Sequence, residues 1–292
     1  MHVYIVGSTG QVGSELSRAT WPSLVTSVTC LNRSQLDICN AQAVAELLAE
    51  ADVIINAAAY TAVDKAETDR RRAFDVNCDG PANLATLCAR TDALLVHLST
   101  DYVFDGTKSS PYTEDDETSP INVYGESKLA GEKAIAQTCR THIILRTSWV
   151  VSAFSQNFVK TILRVAAANE ELRVVADQFG RPTPAKHLAN LLIRVAQRYA
   201  ERDPIPFGTY HFAAAGRTTW HGLAEAIVNV QAEITNKTTA VRPIGSADYP
   251  TPARRPRNSE LDTTKIERAL SFTAAPWQPG VEEIIREVLR RN

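Results

Sequence analysis

The chain has 292 residues, enough for one large or two modest domains with a sizeable core. Its 31 basic and 33 acidic residues leave a formal net charge of −2, which carries no electrostatic footprint for a nucleic acid. No apolar run reaches the length of a membrane span, and the strand-like start Met1 to Val6 predicts that no signal peptide heads the chain. The five cysteines are odd in number, widely spaced and free of any C-x-x-C. They read as reduced thiols of a cytoplasmic protein, most of them packed in the core.

Val3-Tyr4-Ile5-Val6 runs directly into Gly7-Ser8-Thr9-Gly10-Gln11-Val12-Gly13, and Val12, Leu16 and Ala19 then recur at helical spacing. Strand, glycine turn and helix in this order make a dinucleotide loop. The first glycine permits the turn, the second lets backbone approach a pyrophosphate, and the third allows close helix packing. Gly7, Thr9, Gly10, Gln11, Val12 and Gly13 are therefore candidate cofactor contacts; the alternative is a merely structural turn. A second strand, Ser27 to Leu31, ends at Asn32-Arg33, where an NAD site often carries an acid. Arg33 can instead pair with a 2′-phosphate, which tilts the expectation toward NADPH or dual use. Asn32 and Ile38 join the expected cofactor set. Asp37 either accepts from the adenine amino group or caps a helix starting at Ala41.

Asp52 to Asn56 is an apolar run typical of a buried parallel strand, and it leads into Ala57-Ala58-Ala59-Tyr60-Thr61. These five residues at a strand's carboxyl end let backbone lie against a flat ring or its ribose. Helices are expected from about Ala66 to Asn77 and from about Pro81 to Arg90. The strand Ala93 to Leu98 delivers Ser99-Thr100-Asp101 to the crevice where ligands bind. His97, inside that apolar run, reads as a core histidine.

Tyr124 and Lys128 stand four apart and share one helix face. The ammonium is expected to lower the phenol's pKa from about 10 toward working pH, so that it can protonate a carbonyl oxygen becoming an alkoxide. Thr100 would hold the carbonyl, and Lys128 would bridge cofactor ribose and phenol. The strand–helix alternation predicts an α/β, Rossmann-type doubly wound parallel sheet. Residues 1–150 form the expected dinucleotide-binding domain. Residues 151–292 form a smaller C-terminal α/β substrate domain, with the chain crossing between the two more than once.

In the second half, Ile143 to Arg146 is a strand, and Trp149 after it reads as a core aromatic. Asn157 to Ala168 is amphipathic, and Arg173 to Ala176 is a short strand before a proline-rich loop. A helix from Ala185 to Tyr199, a strand from Gly208 to Phe212, and a helix from Trp220 to Val230 capped by Thr219 follow. His211 and His221 read as structural. Arg254, Arg255 and Arg257 lie in a proline-rich loop that either holds a diphosphate by forked hydrogen bonds or is simply solvated.

Taken together, Gly7 to Gly13, Asn56 to Glu67, Ser99 to Gly106, Tyr124 to Glu132, Arg146 to Val150, Asp177 to Gly180 and Tyr249 to Pro256 carry a resemblance. The chain resembles the extended short-chain dehydrogenase/reductase superfamily and, within it, the dTDP-4-dehydrorhamnose reductase family. The resemblance implies Thr100, Tyr124 and Lys128 as the catalytic set, NADPH or NADH as cofactor, and a nucleotide-sugar substrate reduced at a C4 keto group. It also implies that Val63, Asp101, Trp149 and Arg254 or Arg255 lie near the sugar nucleotide; Lys65 matches a family position there too.

Some family members pair through an acid-lined metal site. Here Lys186 stands at one of its positions while Glu15 remains. A lysine removes a hard oxygen ligand and repels Mg²⁺, so no metal ligand is assigned, and both monomer and homodimer stay open. Two rivals remain: a reductase of another nucleotide-4-keto-6-deoxysugar, or a non-catalytic regulatory subunit of the same fold. The second predicts a broken catalytic set, and this one is whole.

Overall fold

The computed structural model describes residues 1–291. The first half alternates β1 (His2–Val6), α1 (Gln11–Arg18), β2 (Ser27–Leu31), α2 (Ala41–Leu47) and β3 (Val53–Asn56). Then come the short α3 (Val63–Ala66) and α4 (Arg70–Phe74), α5 (Gly80–Thr91), β4 (Leu94–Thr100), α6 (Val123–Thr138) and β5 (His142–Thr147). The expected single helix from 66 to 77 is instead α3, α4 and a wide π-type turn over Asp75–Asp79. Pro81 explains the wide turn, because it removes a donor and its ring crowds the carbonyl four residues back. The helix at Ala41 is capped by Asn40, whose side chain accepts from Ala43 N, so Asp37 is not its cap.

The remainder comprises β6 (Val150–Val151), α7 (Phe158–Ala168), β7 (Glu171–Val175), β8 (Phe179–Gly180), β9 (Thr183–Pro184) and α8 (Ala185–Ala200). It ends with β10 (Gly208–Phe212), β11 (Thr218–Thr219), α9 (Trp220–Thr235), β12 (Ala240–Ile244), α10 (Thr264–Leu270) and α11 (Trp277–Arg291). Thr219 caps α9 by accepting from Gly222 N, and the helix runs five residues past Val230, to Thr235.

Six strands form one parallel sheet in the order β10-β5-β4-β3-β1-β2, so the chain returns from its second half to add β10 beside β5. Side chains alternate between the two faces, as a strand's period of two requires. Val53, Ile55, Leu94, Val96, Ile143 and Leu145 join α1, α8 and α10 on one face. Ile54, Leu95 and Ile144 join α2, α5 and α6 on the other. This is the doubly wound Rossmann-like arrangement. β1 lies between β2 and β3, which makes the carboxyl ends of β1 and β3 the switch point of the sheet.

A separate apolar core gathers α7, α9, α11, β6 and β7 around Leu163, Leu223, Ile227 and Ile285. All five cysteines are free thiols, but only Cys88 and Cys139 are buried; Cys30, Cys39 and Cys78 are half-buried. Cys30 lies on β2, one of the two edge strands of the sheet. Among the described residues no helix is long and apolar enough to cross a membrane.

Candidate active site

The carboxyl ends of β1, β2 and β3 enclose a cavity of about 270 Å³. Its walls are Gly7, Thr9 and Gly10 after β1, Arg33, Leu36, Asp37 and Ile38 after β2, Ala57 to Tyr60 after β3, and Val76. The three loop glycines differ in role. A Cβ on Gly7 would meet Ala58 N at 2.5 Å, and one on Gly13 would meet Gly7 O at 2.2 Å, so both are closed by packed backbone. A Cβ on Gly10 would meet only Gly7 O, at 3.3 Å, and would otherwise project into free space. No side chain caps α1, whose first N–H groups therefore face the loop without partners. Small backbone, free amides and a helix dipole fit a pyrophosphate, and Arg33 at the far end fits a 2′-phosphate.

Several expected cofactor residues stand off this wall. The Val12 side chain is buried in the sheet core, Thr61 is exposed, and Asn32 Oδ1 accepts from the Ser34 and Gln35 amides. Gln11 donates to Val150 O from Nε2, while its Oε1 is buried without a partner. Asp37 lines the cavity with its carboxylate engaged by Cys39 N at 3.0 Å and Arg72 at 3.5 Å.

At the carboxyl end of β4, Thr100 Oγ1 donates to Asp101 Oδ1 at 3.1 Å and accepts from Tyr102 N. Asn122 caps α6 by accepting from Gly125 N, which starts the helix so that Tyr124 lies edge-on to Tyr102, with ring centroids 5.7 Å apart. Burial pushes the Tyr124 phenol above its ordinary value, with the neighbouring Thr100 hydroxyl opposing. Thr100 and Tyr124 are thus brought together as expected.

Lys128 is not placed as expected. Its Nζ lies against the sheet, donating to Leu98 O at 2.7 Å and meeting His97 Nε2 at 3.1 Å. The phenol is accordingly not acidified by the ammonium. Lys128 itself is drawn down to about 8 by burial, with Glu132 opposing. Asp101, 4% exposed, has Oδ2 without any partner, and burial lifts its carboxyl to about 7, with the neighbouring Ser259 and Thr100 hydroxyls opposing.

A second cavity of about 450 Å³ opens beside Tyr102. Val63, Asp64 and Tyr102 wall it from the sheet side; Phe158 and Trp220 come from the second core, Arg173 from β7, Gln178 from the turn after it, and Tyr249, Thr251 and Arg255 from the late loop. Arg255 donates to Asp64 Oδ2 at 2.8 Å, and its Nη1 is buried without a partner. Arg254 is exposed and off the wall, where only its carbonyl is used, accepting from Asn122 Nδ2. Trp149, held at φ 49°, packs in the second core and stacks on Trp220 with centroids 3.6 Å apart. Trp220, the first residue of α9, is the ring that lines the cavity. Lys65 is exposed.

Other contributors were not singled out from sequence. Asn77 accepts from Tyr60 N and donates to Tyr60 O and Ser127 Oγ, tying the cofactor wall to α6. Away from both cavities, Lys186 pairs with Glu283 at 2.5 Å near Glu15, whose carboxyl is raised by burial and then by Glu287. Among the described residues no group of three or more His, Cys, Asp or Glu side chains is arranged to hold a metal ion.

A doubly wound sheet with a glycine-loop cradle, a threonine at a strand end and a Tyr-x-x-x-Lys helix packed against it defines a nicotinamide-dependent oxidoreductase of the short-chain dehydrogenase/reductase class. The family model described as "RmlD substrate binding domain" matches residues 1–290. The dTDP-4-dehydrorhamnose reductase of Sinorhizobium fredii is 41% identical, over 99% of this chain and 98% of that protein. The crystal structure of a dTDP-4-dehydrorhamnose reductase from Clostridium acetobutylicum superposes with a TM-score of 0.90 at 33% identity, covering 99% of this chain and 100% of that one. That of the Bacillus anthracis reductase in complex with NADP does so at 0.88 and 33%, covering 98% and 99%. The chain belongs to the dTDP-4-dehydrorhamnose reductase family.

Proposed function

We propose that this protein reduces the C4 keto group of dTDP-4-dehydro-β-L-rhamnose to the C4 hydroxyl of dTDP-β-L-rhamnose, using NADPH or NADH. The observation that carries this reading is Tyr124's position between the two cavities. It shares the Ala66, Ala73 and Val123 cluster with Tyr60 of the cofactor wall and meets Tyr102 of the larger cavity edge-on. The sheet body is assigned to the dinucleotide, and the second core with the late loop to the sugar nucleotide, whose diphosphate Arg255 is suited to hold. One chain carries both cavities, so the reading holds for a monomer or a homodimer. A free dTDP-sugar and a reduced nicotinamide suit the cytoplasm.

The bound nicotinamide supplies the hydride for C4. Thr100 orients the carbonyl oxygen through its hydroxyl. Tyr124, kept protonated by burial, gives its proton to that oxygen as the C=O π bond breaks and the new O–H bond forms. The resulting phenolate, beside the Thr100 hydroxyl, regains its proton after the product leaves. The packed walls position the sugar and keep out bulk water.

The test is a steady-state assay with the dTDP-4-keto sugar and each reduced cofactor, followed by NMR of the product. Loss of nicotinamide absorbance with formation of the L-rhamno C4 epimer is expected. No turnover, or the opposite epimer, would overturn the assignment.

A further inference from the structure

Among the described residues, the wall of the dinucleotide cavity carries a single carboxylate, Asp37, and a single cation, Arg33. In a site built for NADH, the end of β2 offers an acceptor to the ribose hydroxyls. Here that position is Asn32, and its Oδ1 is already filled. It accepts from Ser34 N at 2.9 Å, Ser34 Oγ at 2.6 Å and Gln35 N at 3.2 Å. An amide oxygen has two lone pairs, so none is left for a ribose hydroxyl. Discrimination at this end of the cavity therefore falls to charge.

Asp37 Oδ1 accepts from Cys39 N at 3.0 Å, while Oδ2 meets two guanidiniums. Arg72 of α4 donates to it from Nη2 at 3.5 Å; Arg33 Nε stands at 3.9 Å, beyond hydrogen-bond distance. The Arg33 side chain is 74% exposed and that of Arg72 only 30%, so Arg72 is the better held of the two. Arg72 stands four residues before Val76, which lines the cavity, but is not itself on the wall. Its neighbour Arg70 is turned away to Glu126, at 2.7 Å. Burial opposes ionisation of Asp37, yet the Cys39 amide and then Arg72 hold its carboxyl below the ordinary value. It is therefore a carboxylate at neutral pH. Left alone with Arg33, that charge would occupy the arginine and repel a phosphate. With Arg72 engaged, one anion faces two cations, and the surplus charge falls to the more exposed Arg33.

We propose that Arg72 is a positioning residue for cofactor selectivity: by matching the charge of Asp37 it frees Arg33 for a 2′-phosphate, and the chain favours NADPH over NADH. Arg72 does this without touching the phosphate. The inference rests on the dinucleotide reading of this cavity and chooses between the two cofactors that reading allows. It also gives Asp37 a task on the wall apart from the adenine: its carboxylate ties α4 to the loop after β2.

The test needs neither substrate nor turnover. Two fragments of the cofactor, 2′,5′-ADP and 5′-AMP, differ only in the 2′-phosphate, and calorimetry on the full-length protein gives a dissociation constant for each. Wild type should bind 2′,5′-ADP about 10-fold or more tighter, the scale of a charge-assisted hydrogen bond. Arg72→Met should cut that ratio by about fivefold, with 5′-AMP affinity changed by no more than about twofold. Adding Asp37→Asn to Arg72→Met removes the unmatched carboxylate and should restore the ratio to within about twofold of wild type. A merely structural arginine would not be rescued in this way. A wild-type ratio near one, an unchanged ratio in Arg72→Met, an equal loss for both fragments, or a double variant that stays low overturns the proposal. Binding of neither fragment by wild type would overturn the dinucleotide reading of the cavity and this inference with it. Absence of turnover with the dTDP-4-keto sugar would instead count against the reductase reading alone.

Discussion

A Cβ on Gly125 would lie 2.1 Å from the carbonyl oxygen of Tyr102. The first turn of α6 therefore presses directly on the turn after β4, and only hydrogen at this Cα permits it. That contact sets the distance between Tyr124 on the helix and Thr100 on the strand end. Gly125→Ala should push the helix outward, costing roughly 1–3 kcal/mol of stability. Activity should fall by about 10²-fold or more, because a displacement near 1 Å at reacting groups is enough for that. Denaturant melts and kcat together check this; near wild-type turnover would show that the helix start tolerates the shift.

Tyr124→Phe keeps the ring, its edge-on contact with Tyr102 and its packing on the Val123 cluster. Cofactor binding and melting temperature should change little. The proton donor is lost, and kcat should fall by at least roughly 10²-fold. Retained turnover in a steady-state assay would remove Tyr124 from the mechanism.

Arg255 and Arg254 are adjacent in sequence and opposite in setting. Arg255 lines the larger cavity with an unpartnered Nη1, while Arg254 is exposed. Arg255→Ala should raise KM for the dTDP-sugar by about 10-fold or more, the scale of a lost charge-assisted hydrogen bond. Arg254→Ala should leave KM within about twofold, as surface changes usually do. Equal effects from the two would mean that the cavity wall does not meet the diphosphate.

Asp101 supplies a prediction in pH. Its carboxyl is lifted to about 7 by burial, whereas in an unfolded chain it ionises near 4. Between those values the native state holds more protons than the unfolded state, so this group's contribution to stability is lost as pH rises from about 4 to about 7. Asp101→Asn has nothing to ionise there. Relative to wild type, it should melt at a higher temperature near pH 8 than it does near pH 5, with a flatter pH dependence between. Parallel melting curves would show that Asp101 titrates like an exposed carboxylate.

Much of this site was legible along the chain because its parts are local. The glycine turn, the Tyr-x-x-x-Lys face and the Thr100 strand end are each set by residues within one or two turns of one another. Periodicity likewise exposed α7, α8 and β10, whose apolar faces must be buried. What sequence spacing misjudged was direction over longer distances. Lys128 was expected to turn toward Tyr124, yet the sheet offers it the Leu98 carbonyl and His97. Trp149 and Trp220 are 71 residues apart, and only their stacking shows which ring faces the cavity. A signal for His97 existed all the same: it is a polar residue inside the apolar run of β4, in register with Asn56 at the end of β3.

By itself the amino-acid sequence determined the alternating α/β plan, the dinucleotide turn and the identities of the threonine, tyrosine and lysine, since helix period, strand period and glycine geometry act over a few residues. Tertiary structure decided where each proton sits. Burial raised Tyr124 and Asp101 and lowered Lys128, which donates to the Leu98 carbonyl. Desolvation and donor–acceptor matching depend on which distant segments close over a group, so neither is written in the local order of residues.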